Sequence, residues 1–347
     1  MREHKGSSII SLPLDYIVID TETTGLDYDY CHIIEVSALK YLDGKLVDTF
    51  TSLVQPPLQQ IYSFSDDNND GKWVSYYVDD FITDITGITN EMLASAPMPS
   101  EVFPKLSDFI GNSLLIAHNA HFDINFLYDS FLNHCTDPLT NDFIDTLRIA
   151  RKVFPNLPHH RLSDVASACG VSQQMAHRAE ADCIVTAQCY EAMRQTILST
   201  QTEDSFKLSF AKKKKKYKDV LYAITAEAKL KSTHEVSTCS SILSGLSISA
   251  TDIDETNPIF GKTVVFTGAL SSMPRKEAFQ LVAVFGGVPE NSITTKTNFL
   301  VIGNSEFAKS VKDGKTTKMK KAESYIKKGY EISIISETAF FDLISNL

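Results

Sequence analysis

Residues 16–26 read YIVIDTETTGL. A mostly apolar run meets two acids, Asp20 and Glu22, and then leaves through two threonines and a glycine. In a β-strand, residues two apart share a face, so both acids project together from the strand's end. Two carboxylates on one face repel unless something positive sits between them. Hard divalent cations such as Mg2+ or Mn2+ answer that need, because they take oxygen ligands. A lone D-x-E also describes a solvated strand end, so the rest of the chain has to decide between the two.

Outward from this strand, HIIEVSALKYL and KLVDTFTSLV flank Asp43-Gly44, a dipeptide that marks a tight hairpin, and three consecutive strands are expected. Residues 59–80 are acidic and Asn-rich, which predicts an irregular insertion, with Trp73 as a candidate anchor. A helix over 101–110, a short strand LLIAH (114–118) and a helix opening near Phe122 follow. The last carries Ile124, Leu127, Tyr128, Phe131 and Leu132 on one face of a 3.6-residue period. A strand at 143–146 and helices near 146–153, 162–168 and 179–197 complete an α/β unit with a mixed sheet.

More acids gather around the same strand. HNAHFD (118–123) sets Asp123 at the start of a helix directly after LLIAH, and HRAEAD (177–182) supplies His177 and Asp182. Five residues at about 100° each leave His177 and Asp182 about 140° apart on a continuous helix. If both serve one centre, the histidine must stand in the loop before the helix. His121, in the first of these blocks, is expected in an exposed loop, with contact to a substrate as the alternative.

DTETTG, HNAHFD and HRAEAD together resemble the three sequence blocks of the DEDDh 3'–5' exonucleases, in wording the epsilon type of bacterial DNA polymerase III. ITGIT (85–89), DTLRIAR (145–151) and LSDVASACGV (162–171) occupy places where that family has similar words, and the match runs over about 15–197. The resemblance implies an RNase H-like mixed-sheet domain and two-metal phosphodiester hydrolysis with Mg2+ or Mn2+. By position, Asp20 would bridge both metals, Glu22 and Asp182 would hold the first, and Asp123 would support the second. His177 would be the general base, a role suited to an imidazole. Thr23, Thr24, Gly25 and Leu26 would line the 3' nucleotide, with His118 and Asn119 as further substrate contacts. The expected partner is a DNA 3' end, single-stranded or frayed; the same five residues also serve RNA-trimming members, and a silent docking protein is a third alternative.

The C-terminal part differs in kind. Residues 1–200 hold 12 Lys+Arg against 27 Asp+Glu, whereas 201–347 hold 21 against 16, inside a chain of 347 residues with net charge -10. That balance argues against a simple nucleic-acid-binding protein, although metal ions would invert the local sign at the acids. AKKKKKYK (211–218), a possible helix near 219–230 and a Ser/Thr-rich stretch read as a linker over 198–257, with the lysines as a tether for phosphates.

IFGKTVVFTGAL (259–270), RKEAFQLVAVFGGV (275–288), TTKTNFLVIGN (294–304) and the segment 316–344 resemble a BRCT domain over about 258–347, a small α/β fold with a parallel sheet. The resemblance places Thr267, Gly268 and Lys318 at a phosphate-binding position, where a hydroxyl, a backbone N–H and an ammonium converge. It implies docking to DNA or to replication or repair proteins. The six cysteines form no CxxC pair, which suggests neither a zinc site nor a disulfide framework. The apolar run near the N-terminus is too short for a signal-peptide core and no stretch nears 20 apolar residues, so a cytoplasmic protein is expected. The working division is thus an exonuclease domain over 12–197, the linker, and a BRCT domain over 258–347.

Overall fold

The computed structural model describes residues 5–25, 31–65, 68–157, 160–172, 177–210, 257, 259–270, 273–303, 316–326, 328, 330 and 332–345, with the backbone alone over 61–74 and at 338, 342 and 345. These fall into two compact units, 1–208 and 209–347.

In the first unit β1 (Tyr16–Thr23) is the centre of a five-stranded sheet, order β3-β2-β1-β6-β7. It pairs antiparallel with β2 (Ile33–Leu42), which pairs antiparallel with β3 (Lys45–Leu53) across the Asp43-Gly44 turn. Asp43 and Gly44 both have positive φ, as a two-residue hairpin turn of this hand requires. Ile17, Val18 and Ile19 are buried, and at roughly 1.5–3 kcal/mol per such side chain they hold the strand together. Repulsion between two carboxylates about 6 Å apart at an effective dielectric near 20 amounts to about 3 kcal/mol. The apolar stem outweighs the charged tip.

The segment expected to be irregular is instead an antiparallel hairpin, β4 (Gln59–Ser65) with β5 (Asn68–Tyr76). Its polar composition hid strands whose pairing is carried by the backbone. The side chain of Trp73 lies outside the described residues. Short helices α1 (Asp80–Thr86) and α2 (Asn90–Ala94) follow, and Ile88 and Leu93 pack with Ile34 and Val78.

The helix expected at 101–110 begins earlier, as α3 (Pro99–Ile110), with Pro at its first position where no N–H partner is lost. Then come β6 (Leu115–Ala117), α4 (His121–His134), β7 (Phe143–Asp145), α5 (Thr146–Val153), α6 (Leu162–Cys169) and the 22-residue α7 (Ala179–Thr200). β6 joins β1 and β7 in parallel. α7 lies across β1 and β2, burying Cys183, Tyr190, Met193 and Ile197; Tyr190 donates to the Pro13 carbonyl at 2.9 Å.

Both ends of this unit extend past the expected 12–197. Ser8 bridges Phe143, with Ile9 N–H donating to the Phe143 carbonyl at 2.8 Å, so the N-terminal segment covers the outer edge of β7. At the other end α8 (Glu203–Leu208) buries Phe206, and Glu203 accepts from Ser11 Oγ and Leu12 N–H. The lysine run, the possible helix near 219–230 and the Ser/Thr-rich stretch lie outside the described residues.

The second unit is a four-stranded parallel sheet, order β11-β10-β8-β9. Its elements are β8 (Thr263–Thr267), α9 (Arg275–Val284), β9 (Val288–Glu290), β10 (Thr297–Ile302), α10 (Thr317–Ile326), β11 (Ser333–Ser336) and α11 (Glu337–Ser345). Val265, Ile293, Leu300, Ala322 and Ile332 form one core cluster. Among the described residues no helix is long and apolar enough to cross a membrane.

Candidate active site

At the end of β1 the burial alternates: Thr21 and Thr23 are buried, Asp20 and Glu22 half-buried. The acids therefore share the more open face. The parallel β1–β6 ladder stops at Val18 with Ile116, so Thr21 lies beyond the last strand partner on that side. The first turn of α4 fills the gap. Asp123 accepts from Thr21 N–H at 2.9 Å and from Thr21 Oγ1 at 2.8 Å, which fastens a third carboxylate to the strand.

The fourth arrives on α7. His177 stands before the helix with a left-handed φ of 66°, its own N–H donating to Asp182 Oδ2 at 3.0 Å. Asp182 N–H donates to the Arg178 carbonyl, the first turn of the helix. The left-handed residue folds the chain back, and a ring nitrogen of His177 and carboxylate oxygens of Glu22 and Asp182 lie within 4.8 Å of one another. His177 is exposed while Asp182 is buried, so the cluster joins a solvent-accessible imidazole to a sunken carboxylate.

The electrostatics follow from this crowding. Burial, then the charges of Asp123, Glu22, Asp182 and Glu35, push the Asp20 carboxyl well above the usual range. Burial, then Asp182, Glu35 and Asp123, raise Glu22 to about 8. Burial raises Asp123 to about 7 against the opposing hydrogen bonds from Thr21. A set of hard oxygen donors whose ionisation is disfavoured first by burial and then by neighbouring carboxylates fits a divalent cation, whose charge reverses the penalty.

A stability test follows. Glu22 ionises near 4.5 when unfolded and near 8 when folded, so its contribution to stability is fully present below the lower value. It is lost as pH rises towards the upper one. In EDTA the melting temperature is expected to fall between about pH 5.5 and about pH 8.5, more in wild type than in Glu22→Gln. Mg2+ or Mn2+ should raise it more at the higher pH; equal shifts at both would remove the cation assignment.

The strand's exit is built tightly. Thr24 N–H donates to the His32 carbonyl and His32 N–H to Thr24 Oγ1, both at 2.9 Å, while Thr23 Oγ1 donates to the Gly25 carbonyl. A Cβ on Gly25 would meet Cys31 Sγ at 2.7 Å, so any larger residue there would have to turn the Cys31 side chain aside. Leu26 lies outside the described residues.

His118 and Asn119 form the turn between β6 and α4. Both His118 ring nitrogens have protein partners, Thr146 Oγ1 at 2.9 Å and the His160 carbonyl at 2.8 Å. Burial lowers its pKa. The ring braces the turn, and what faces outward is Asn119, exposed and left-handed at φ 67°, with its N–H on Asp145 Oδ1. His121, expected in an exposed loop, is corrected: it is the first residue of α4, buried, with its ring edge-on to Phe143 at 5.2 Å.

Sequence reasoning missed Glu35 and Arg178. Glu35, 2% exposed, stands across from Glu22 in the β1–β2 register and binds Arg178. The signal was an acid within the apolar run HIIEVSAL.

In the second unit Thr267 ends β8, an inner strand, Gly268 follows it, and Lys318, in the first turn of α10, donates Nζ to the Phe266 carbonyl at 2.8 Å. Arg275, absent from the expected set, donates to the carbonyls of Phe266 and Gly268. Two cationic side chains thus meet at one strand end.

A sequence profile of the RNase_T exonuclease family matches residues 73–190. DNA polymerase III subunit epsilon of Aquifex aeolicus is 30% identical over 175 residues, covering 50% of this chain and 78% of that protein. The PolC-type DNA polymerase III of Clostridium perfringens is 36% identical over 174 residues, 50% of this chain but 11% of the larger protein. The chain therefore spans about a tenth of the PolC-type relatives it matches. Among solved structures, exonuclease X in complex with 5'-overhanging duplex DNA is 25% identical, covers 54% of this chain and 95% of its own, and has a TM-score of 0.40.

Proposed function

The chain belongs to the RNase_T exonuclease family represented by DNA polymerase III subunit epsilon, and on that premise we propose that it hydrolyses DNA from the 3' end by a DEDDh mechanism. The observation that carries the reading is the convergence of Glu22, His177 and Asp182 within 4.8 Å, with Asp123 fastened to the same strand as Asp20. Asp20, Glu22, Asp123 and Asp182 would hold two divalent cations, which supply positive charge for the phosphate and for a water made more acidic. The exposed imidazole of His177, a ring nitrogen of which lies within 4.8 Å of Glu22 and Asp182 carboxylate oxygens, would take a proton from such a water. The backbone around Thr23, Thr24 and Gly25 lines the terminal nucleotide, and Asn119 contacts the strand from the opposite turn. DNA is the favoured substrate because the relatives are named as DNA polymerase III components.

For the second unit the reading is a BRCT module. Thr267, Gly268 and Lys318, joined by Arg275, would take a phosphate of DNA or of a replication or repair partner.

The test is digestion of matched 5'-labelled DNA and RNA single strands with Mg2+ or Mn2+. A ladder shortening from the 3' end on DNA is expected, and it should vanish when that end is blocked. A ladder on RNA alone would replace the substrate assignment, and no ladder on either would overturn the enzyme. Deleting residues 258–347 should spare short single strands and weaken retention on nicked duplex; unchanged retention removes the docking role.

A further inference from the structure

A carboxylate at Glu35 makes the acidic centre worse. It adds its own repulsion to Asp20 and Glu22, and burying a charge is costly unless it is paired. Its position is also specific, because β1 and β2 set Glu22 and Glu35 opposite one another, at the point where the register shifts.

What Glu35 obtains there is a four-way grip on the start of α7. Arg178 Nε lies 3.2 and 3.1 Å from its two oxygens, Arg178 Nη2 lies 2.6 Å from Oε1, and Ala179 N–H donates to Oε2 at 3.0 Å. The ion pair is bidentate, the geometry that fixes orientation as well as distance. Arg178 is the residue between His177 and α7, the N-cap position, and its own side chain makes no cap. The capping oxygen comes from another strand, so the helix end is tied directly to the β-sheet register rather than to its own preceding loop. The pinned residues adjoin His177 on one side and precede Asp182 by one turn on the other.

We infer that Glu35 and Arg178 are positioning residues, a latch that sets His177 and Asp182 against Glu22. Local order alone would not require it: an Asn, Ser or Asp at the N-cap would satisfy the helix without a buried charge. The latch fixes how far the start of α7 stands from β2 and, through the Glu22–Glu35 register, from β1, and that distance decides whether Glu22, His177 and Asp182 meet. It rests on the exonuclease reading only for what the aligned groups do.

The test uses the full chain as wild type, Arg178→Ala, Arg178→Lys and Glu35→Gln. Arg178 is 36% exposed at its side chain, so its replacement does not open a core and serves if Glu35→Gln fails to fold. Misplacement of about 1 Å at a reacting centre can cost about 100-fold, and loss of a partner that orients a metal ligand typically costs about 10–100-fold in affinity or activity. Arg178→Ala is therefore expected to lower kcat on 5'-labelled DNA about 10–100-fold with KM nearly constant. Mn2+ binding by calorimetry should weaken about tenfold. Arg178→Lys, which keeps charge but not the fork, should resemble Ala, and added guanidinium should restore part of the Ala variant's rate. Hydrogen exchange should rise across 177–183 and not in the sheet.

Arg178→Ala with wild-type kcat and Mn2+ affinity would overturn the latch. So would full rescue by Lys, since charge alone would then suffice. If wild type binds Mn2+ but cuts neither DNA nor RNA, the exonuclease reading fails by itself, and the affinity difference between wild type and Arg178→Ala still decides the latch.

Discussion

Asp20→Ala is expected to lose DNA hydrolysis by at least about 10³-fold while its metal-free form melts above wild type. The two halves of this result have one cause. Asp20 sits where β1 leaves its buried stem, and burial together with Asp123, Glu22, Asp182 and Glu35 disfavours its ionised form. Removing the carboxylate lifts a penalty from the folded protein and, because the residue is half-buried, leaves no core void. Each kcal/mol gained should raise Tm by about 2–4 °C for a domain of this size. In the loaded enzyme the same deletion removes the donor expected to serve both cations. Charge stabilisation by such ions is worth several kcal/mol, and each about 1.4 kcal/mol is a factor of ten in rate. Single-turnover digestion with Mn2+ and a melt in EDTA read the two halves separately. Activity within tenfold of wild type would sink the shared-ligand role. A lower metal-free Tm would show that Asp20 supports the fold rather than straining it.

How far the sequence could reveal this site depends on the range of the physics involved. The pairing of Asp20 with Glu22 was legible because strand period acts over two residues, and the burial alternation along β1 follows it. The position of His177 was legible by elimination, since helix geometry forbids it to share a face with Asp182, and the left-handed φ ahead of α7 is how the chain meets that demand. Glu35 was not legible, because its partner lies 143 residues away and a lone acid in an apolar strand carries no mark of what it grips. His118 was assigned to the substrate from its block, yet its ring partners, Thr146 and the His160 carbonyl, come from other elements. His121 was misread because β6 ends and α4 begins one residue earlier than expected, so the helix opens on His121 itself and its ring packs edge-on to Phe143. The 59–76 hairpin was missed for a different reason: the acidic, Asn-rich stretch DDNND at 66–70 marked the whole segment as irregular, although Tyr62-Ser63-Phe64-Ser65 before it alternates as a strand does.

His177→Ala should separate chemistry from assembly in a way that no carboxylate variant can. The side chain is exposed and its backbone N–H, not its ring, holds Asp182 Oδ2, so alanine keeps the hydrogen bond that sets the helix acid. Alanine tolerates the left-handed φ of 66° less well than an Asn would, at roughly 1–3 kcal/mol for such a strained conformation, so His177→Asn is the companion that separates backbone strain from loss of the ring. Removal of a positioned general base costs about 10²–10⁴ in rate, and both variants are expected to fall in that range with KM nearly constant. Mn2+ affinity should change little, because four carboxylates remain. A loss that Asn repairs would assign His177 to the turn alone. A loss shared by Ala and Asn, with Mn2+ still bound, would leave proton transfer as the step that fails, and would explain why the chain sets an exposed imidazole beside a buried carboxylate.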